Sequence, residues 1–127
     1  MSALRHPLAK ARGLGSAKEG AGTWVTERIS ALALVPLSIW FVFAIATAAA
    51  SGYADVRTAL AQPWNASLMA AFVLCLFHHG ALGLRVVVED YVHTPWLEVS
   101  LQLAIKLVFS LAAIATLVAI ARIALGA

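Results

Sequence analysis

His79 and Gly83, two residues one helical turn apart, are the first candidates for chemistry in this sequence. Both fall in a long apolar run, and a helix over about 64–89 would put His79 about ten residues, or roughly 15 Å, from the end of that helix. The absent side chain at Gly83 leaves space for a flat group beside the imidazole, and an imidazole nitrogen can bind a haem iron. The pair therefore suggests a haem site, with a hydrogen bond from His79 to another helix as the alternative.

Asp90 and Tyr91 place a carboxylate and a phenol at the end of the same run. At roughly 100° per residue, Asp90 shares a helix face with His79 and Gly83. A phenol can donate a hydrogen bond to a carbonyl, and a carboxylate beside it can relay protons. An apolar carbonyl compound that dissolves in a bilayer is a quinone, so the pair suggests a quinone site. The alternative is a tyrosine anchored at the membrane interface next to a solvated acid.

Arg28 begins another apolar run and is expected at the same depth as Asp90. Its guanidinium could bind an anion such as a haem propionate, or it could extend to lipid phosphates. Ser30, just inside the run, could donate to a ligand or to its own helix backbone.

A polar stripe of Gln102, Lys106 and Ser110 recurs every four residues in the last apolar run. Such a stripe rarely faces lipid, so we expect it to face protein and to form structural hydrogen bonds. His78 points roughly 100° away from His79, toward a partner helix or the interior, and is a weaker candidate than His79 because the face with Gly83 and Asp90 has the further polar residues.

The composition and the apolar runs indicate that these residues lie in helices that cross a membrane. Of the 127 residues 62% are hydrophobic and 12% are charged, whereas a soluble domain has about 25% charged residues. Three apolar runs each reach the roughly 20 residues that a spanning helix needs. We therefore predict an all-α membrane protein with transmembrane helices at about 25–50, 64–89 and 96–123. A basic tail over 1–22 precedes this anchor domain, which covers 23–127.

The basic residues predict the orientation. Six of them lie on the side of the N-terminus and of the connection between the second and third spans, against two on the other side, so the N-terminus is expected in the cytoplasm. The net charge of +3 is explained by this bias and does not indicate nucleic-acid binding. The single cysteine, Cys75, excludes an iron–sulfur cluster ligated by this chain alone.

Three features together resemble a known family. They are a His-x3-Gly segment with six residues between its glycine and an Asp-Tyr pair, an Arg-x-Ser segment opening the first span, and three spans in about 120 residues. The residues concerned are His79, Gly83, Asp90, Tyr91, Arg28 and Ser30. The combination resembles the D-type hydrophobic membrane anchor of succinate dehydrogenase, the small cytochrome b subunit.

The resemblance implies a helical bundle formed with a companion C-type cytochrome b anchor subunit. It makes His79 one axial ligand of a shared haem b and Gly83 part of the surface that packs against that haem. It also makes Tyr91, with Asp90, a contact of ubiquinone, and places Arg28 near the haem propionates and the quinone.

The implied partners are an iron–sulfur subunit and a flavoprotein subunit, with the chain in a bacterial inner membrane rather than a mitochondrial one. The chain has no dinucleotide fingerprint, so we do not expect it to oxidise succinate by itself. Three alternatives stay open: a fumarate reductase anchor, a haem-free anchor, and a non-redox transporter or channel subunit. The last would use His79, Asp90 and Lys106 as a proton path.

Overall fold

The computed structural model describes residues 20–126 as helices joined by short connections. Helix α1 spans Gly20–Ala49, α2 Tyr53–Ala61, α3 Pro63–Tyr91 and α4 Pro95–Ala124. Residues 20–126 contain no strand, and α1, α3 and α4 are long and apolar enough to cross a membrane. The predicted all-α fold with three spans is therefore confirmed. Most of the predicted basic tail lies outside the described residues.

The ends of the long helices follow local sequence signals. Pro63 and Pro95 occupy the first turns of α3 and α4, where the missing N–H group of proline leaves no helical hydrogen bond unmade. Thr94 is the N-cap residue of α4, but its hydroxyl makes no capping hydrogen bond. The first helix begins at Gly20, earlier than the predicted start near residue 25, and continues through Pro36.

Helix α2 was not predicted. Its nine residues lie in the connection between the first two spans, and its half-buried apolar side chains are Val56, Leu60 and Ala61. The side-chain amide of Asn65 at the start of α3 donates to the Ala59 carbonyl at 2.8 Å and so ties the two helices together. A pattern of three apolar residues is too short to identify a helix from sequence alone.

Helix α3 is the centre of the bundle. It packs against α4 on one side and α1 on the other, while α2 touches α3 and α4. Phe41 of α1 stacks on Phe72 of α3 with ring centroids 4.4 Å apart, and Phe77 of α3 meets Phe109 of α4 edge-on at 6.0 Å. These aromatic pairs set how α3 is rotated against each neighbour.

Little of the apolar surface is buried within the chain. A small cluster of Ala66, Val73 and Ile120 lies between α3 and α4. Large apolar side chains along all three spans are exposed, among them Ile29, Val42 and Leu111 at 62, 65 and 65%. An exposed apolar surface of this extent requires lipid or another protein to cover it.

Gly80 allows the closest approach between α3 and α4. A Cβ atom at this position would lie 3.0 Å from Cε1 of Phe109, closer than ordinary van der Waals contact. The glycine therefore lets the Phe109 ring lie against the α3 backbone, and a side chain here would require the ring to shift.

We predict that Gly80→Val destabilises the protein by about 1–3 kcal/mol, because the added methyl groups push Phe109 away from α3. The measurement is the thermal midpoint of the purified protein in detergent. Gly22→Val is the control, since a Cβ atom there meets nothing within 4 Å. Equal midpoints for the two variants would show that the Phe109 contact does not constrain the packing of α4 on α3.

Candidate functional site

The centre of the candidate site is a hydrogen bond between α1 and α3. The hydroxyl oxygen of Ser30 lies 3.1 Å from Nδ1 of His79, near the middle of α3. The same hydroxyl lies 2.9 Å from the backbone carbonyl oxygen of Glu27, to which it donates. Ser30 is 5% exposed, and among residues 21–126 it is the one polar residue that is buried. His79 is thus held through one ring nitrogen, and its other nitrogen, Nε2, is left for a second partner.

Gly83, one turn beyond His79, opens onto empty space. A Cβ atom there would meet nothing within 4 Å, in contrast to Gly80, where Phe109 fills the corresponding volume. The α3 surface beside His79 is therefore clear on the side of Gly83. A planar group that approached Nε2 from outside the chain would find no side chain of this residue in its way.

The described residues fit a haem that takes one ligand from this chain. Within residues 20–126, no group of three or more histidine, cysteine, aspartate or glutamate side chains could hold a bare metal ion. Four of the ligands of a haem iron are the ring nitrogens of the haem itself, so the protein has to supply only one or two further ligands, and an imidazole is a common one. A lone imidazole with open space beside it is sufficient for that role.

Arg28 lies in the third turn of α1, two residues before Ser30, and is exposed. Its guanidinium carbon lies 5.5 Å from the centroid of the Trp24 ring, a cation–π arrangement. The indole holds the guanidinium at this end of the helix, and its N–H groups have no carboxylate partner among the described residues. Arg28 is therefore free to bind an anionic group that approaches from outside the chain.

Asp90 and Tyr91 are the last two residues of α3, and both are exposed. Tyr91 is 81% exposed, so most of its ring makes no contact with its own chain. They lie about 16–18 Å along the helix axis from His79. The structure thus separates the imidazole near the middle of α3 from the phenol at its end, and it does not bring them into one pocket.

The other side of α3 carries a separate polar groove. His78, Arg85 and Lys106 line an open groove of about 440 Å³ between α3 and α4. The adjacent histidines therefore have different neighbours, since His79 contacts α1. Lys106 lines this groove together with His78, and His79 is not among the lining residues.

A polar network lies at the end of this groove that is nearest the connection between α3 and α4. Arg85 pairs with Glu89 at 2.8 Å, and the Gln102 amide donates to Glu98 at 3.2 Å and to Glu89 at 3.5 Å. Gln102 thus forms the structural hydrogen bonds expected for its stripe, whereas Lys106 and Ser110 are exposed. The exposed Arg85–Glu89 pair is a small stabilising term.

Sequence reasoning did not identify the pairing of Ser30 with His79, the contact of Gly80 with Phe109, or the Arg85–Glu89 pair. The last has a sequence signal, because opposite charges four residues apart in a helix commonly pair. The first two depend on how α3 is rotated against its neighbours, which no local pattern contains.

The fold and the site together define a class of protein. The chain is an integral membrane protein with three apolar helices, an imidazole near the middle of the central helix and a phenol at the end of that helix. Residues 2–120 match the model of the family described as succinate dehydrogenase/fumarate reductase transmembrane subunit. The chain belongs to this family, as a membrane anchor subunit.

Individual relatives agree with the family match. The chain is 33% identical to a protein of Rickettsia bellii over 117 residues, which cover 92% of this chain and 94% of the relative. It is 31% identical to a protein of Paracoccus denitrificans over 122 residues, which cover 95% and 93% of the two chains. Each of these relatives is named succinate dehydrogenase hydrophobic membrane anchor subunit. No solved structure was found to match the chain.

Proposed function

We propose that this chain is the D-type anchor of succinate:quinone oxidoreductase, that it provides one axial ligand to haem b, and that it contributes to the ubiquinone site. The observation that carries the proposal is His79, held near the middle of α3 by Ser30 at 3.1 Å with the α3 surface open at Gly83. The relatives support succinate dehydrogenase in particular, because those reported above carry that name rather than fumarate reductase.

His79 would bind the haem iron through Nε2, Gly83 would lie against the face of the ring, and Arg28 would pair with a propionate. Haem b bound there supplies one-electron acceptance and release. The second axial ligand would come from the companion C-type anchor, because the described residues offer no other imidazole beside His79 on the same face. The exposed apolar surfaces of the spans provide the area on which that partner packs.

Tyr91 would donate its phenolic hydrogen to a ubiquinone carbonyl oxygen and stabilise the negative charge that builds there. Asp90, exposed at the membrane boundary, would help resupply protons from water. Their position at the end of α3, with most of the Tyr91 ring uncovered, suits a site completed by the iron–sulfur subunit. The flavoprotein subunit would then attach through the iron–sulfur subunit. On the predicted topology, this end of α3 faces the cytoplasm of a bacterial cell.

The proposal is tested first at His79. We expect the complex purified from membranes to show a low-spin haem absorbance that is lost in His79→Ala, because no other imidazole occupies that position. His78→Ala is the matched control, since the adjacent imidazole lies in the groove with Lys106, and it should retain the haem. A complex with full haem content in His79→Ala would disprove ligation by this residue.

The quinone contact is tested at Tyr91. Tyr91→Phe should preserve assembly and haem content but reduce quinone-dependent turnover by about 10- to 100-fold, the effect of removing one hydrogen bond to a charged group. The measurement is the rate of succinate oxidation coupled to a soluble ubiquinone analogue. Tyr53→Phe, in α2 at the opposite end, removes the other tyrosine hydroxyl of the chain and should leave turnover unchanged. Normal turnover in Tyr91→Phe over a range of low quinone concentrations would remove this residue from the site.

The topology is tested with single thiols. In a Cys75→Ser background, Ser51→Cys lies between α1 and α2, and His93→Cys lies between α3 and α4; both positions are exposed. A membrane-impermeant maleimide added to spheroplasts should label position 51 and should label position 93 only after detergent and urea treatment. The reverse pattern would mean that the N-terminus is outside the cytoplasm.

A further inference from the structure

Ser30 has an unusual position for a serine. It is 5% exposed, whereas the other serine and threonine hydroxyls that bond to the backbone of their own helices lie on exposed or half-exposed surface, as Ser100 does. Its hydroxyl oxygen lies within hydrogen-bond distance of two atoms, the Glu27 carbonyl oxygen at 2.9 Å and Nδ1 of His79 at 3.1 Å. A buried hydroxyl that contacts both atoms at once limits which atom can donate and which must accept in each hydrogen bond.

The number of hydrogens that Ser30 and His79 can donate determines which tautomer His79 adopts. A serine hydroxyl has one hydrogen to donate, and a carbonyl oxygen can only accept. With the Ser30 hydrogen directed to Glu27, the bond to His79 forms only if Nδ1 carries the hydrogen and donates it to the serine oxygen. A neutral imidazole has one N–H, so Nε2 then presents a lone pair. Nε2 is the nitrogen left for a second partner beside the open surface at Gly83.

We propose that Ser30 is a positioning residue for His79: it fixes the Nδ1–H tautomer, orients the imidazole and increases the basicity of Nε2. This inference rests on the proposed function, in which Nε2 binds the haem iron. The chain of bonds runs from His79 to Ser30 and on to the Glu27 carbonyl, and hydrogen bonds in series polarise one another. A histidine that binds a metal commonly donates its other N–H to such an acceptor.

These two hydrogen bonds link the orientation of the His79 imidazole to the packing of α1 against α3. Glu27 and Ser30 belong to α1 and His79 to α3, and the Phe41–Phe72 stack joins the same two helices. The imidazole is therefore oriented by the contact between α1 and α3 rather than by its own helix alone. Serine and threonine are the side chains that suit this position, because both can donate to a carbonyl one turn back while accepting from a neighbour.

The experiment uses the assembled complex purified from membranes, with Ser30→Ala, Ser30→Thr, Ser30→Cys and His79→Ala variants. Ser30→Ala removes the acceptor, so haem retention should weaken by about 10- to 100-fold and the midpoint potential of the haem should rise. The potential rises because a less basic imidazole stabilises the ferric form less. Ser30→Thr should restore the wild-type potential. Ser100→Ala is the control, since that hydroxyl bonds only to the Trp96 carbonyl, and it should match wild type.

The possible outcomes distinguish a failure of this inference from a failure of the proposed function. If haem is lost in His79→Ala but the potential and haem retention of Ser30→Ala match wild type, the role of Ser30 is wrong and the proposed function stands. If His79→Ala keeps its haem, the proposed function fails and this inference fails with it. If Ser30→Ala does not assemble, Ser30→Cys replaces it, because a thiol is a weak acceptor of similar size. A wild-type potential in an assembled Ser30→Cys complex would likewise overturn the role of Ser30.

Discussion

The constraint on which this structure depends is that hydrocarbon offers no hydrogen-bond partner. Helices satisfy their own backbone groups, so a chain of this composition must form them, and a polar side chain within a span must find its partner in protein. Ser30 and His79 meet that requirement in one contact at 3.1 Å. The contact selects one rotational arrangement of α1 against α3, because rotating either helix by one residue would separate Nδ1 of His79 from the Ser30 hydroxyl and leave the imidazole without this partner.

Helix α3 shows how one helix serves several neighbours. His79 contacts α1, while His78 lines the groove shared with α4. The two glycines nearby also differ, since Gly80 accommodates Phe109 whereas nothing in the described structure occupies the space beside Gly83. The sequence does not distinguish a glycine that packs against a neighbouring helix from a glycine that faces open space. Their roles are distinguished only by the packing of α3 against α4.

Much of the architecture could be predicted because membrane spans are selected by length and composition. The three long helices follow from those properties, and the rarity of polar groups in the spans directs attention to His79 and Tyr91 without structural information. Helix α2 was missed because its three half-buried apolar residues carry too little periodicity. The bond from Ser30 to His79 joins residues 49 positions apart, so it depends on tertiary packing that a local pattern does not specify.

The exposed surfaces explain why such a chain would share its sites with partners. Tyr91 is 81% exposed, Arg28 is held only by Trp24, and Nε2 of His79 is left for a partner outside the chain. Under the proposed function, each of these groups supplies one part of a site that another subunit completes. A ligand that binds only the assembled state stabilises that state, by an amount that grows with its occupancy. Haem held between two anchors would therefore strengthen their association, and so link the assembly of the membrane domain to its capacity for electron transfer.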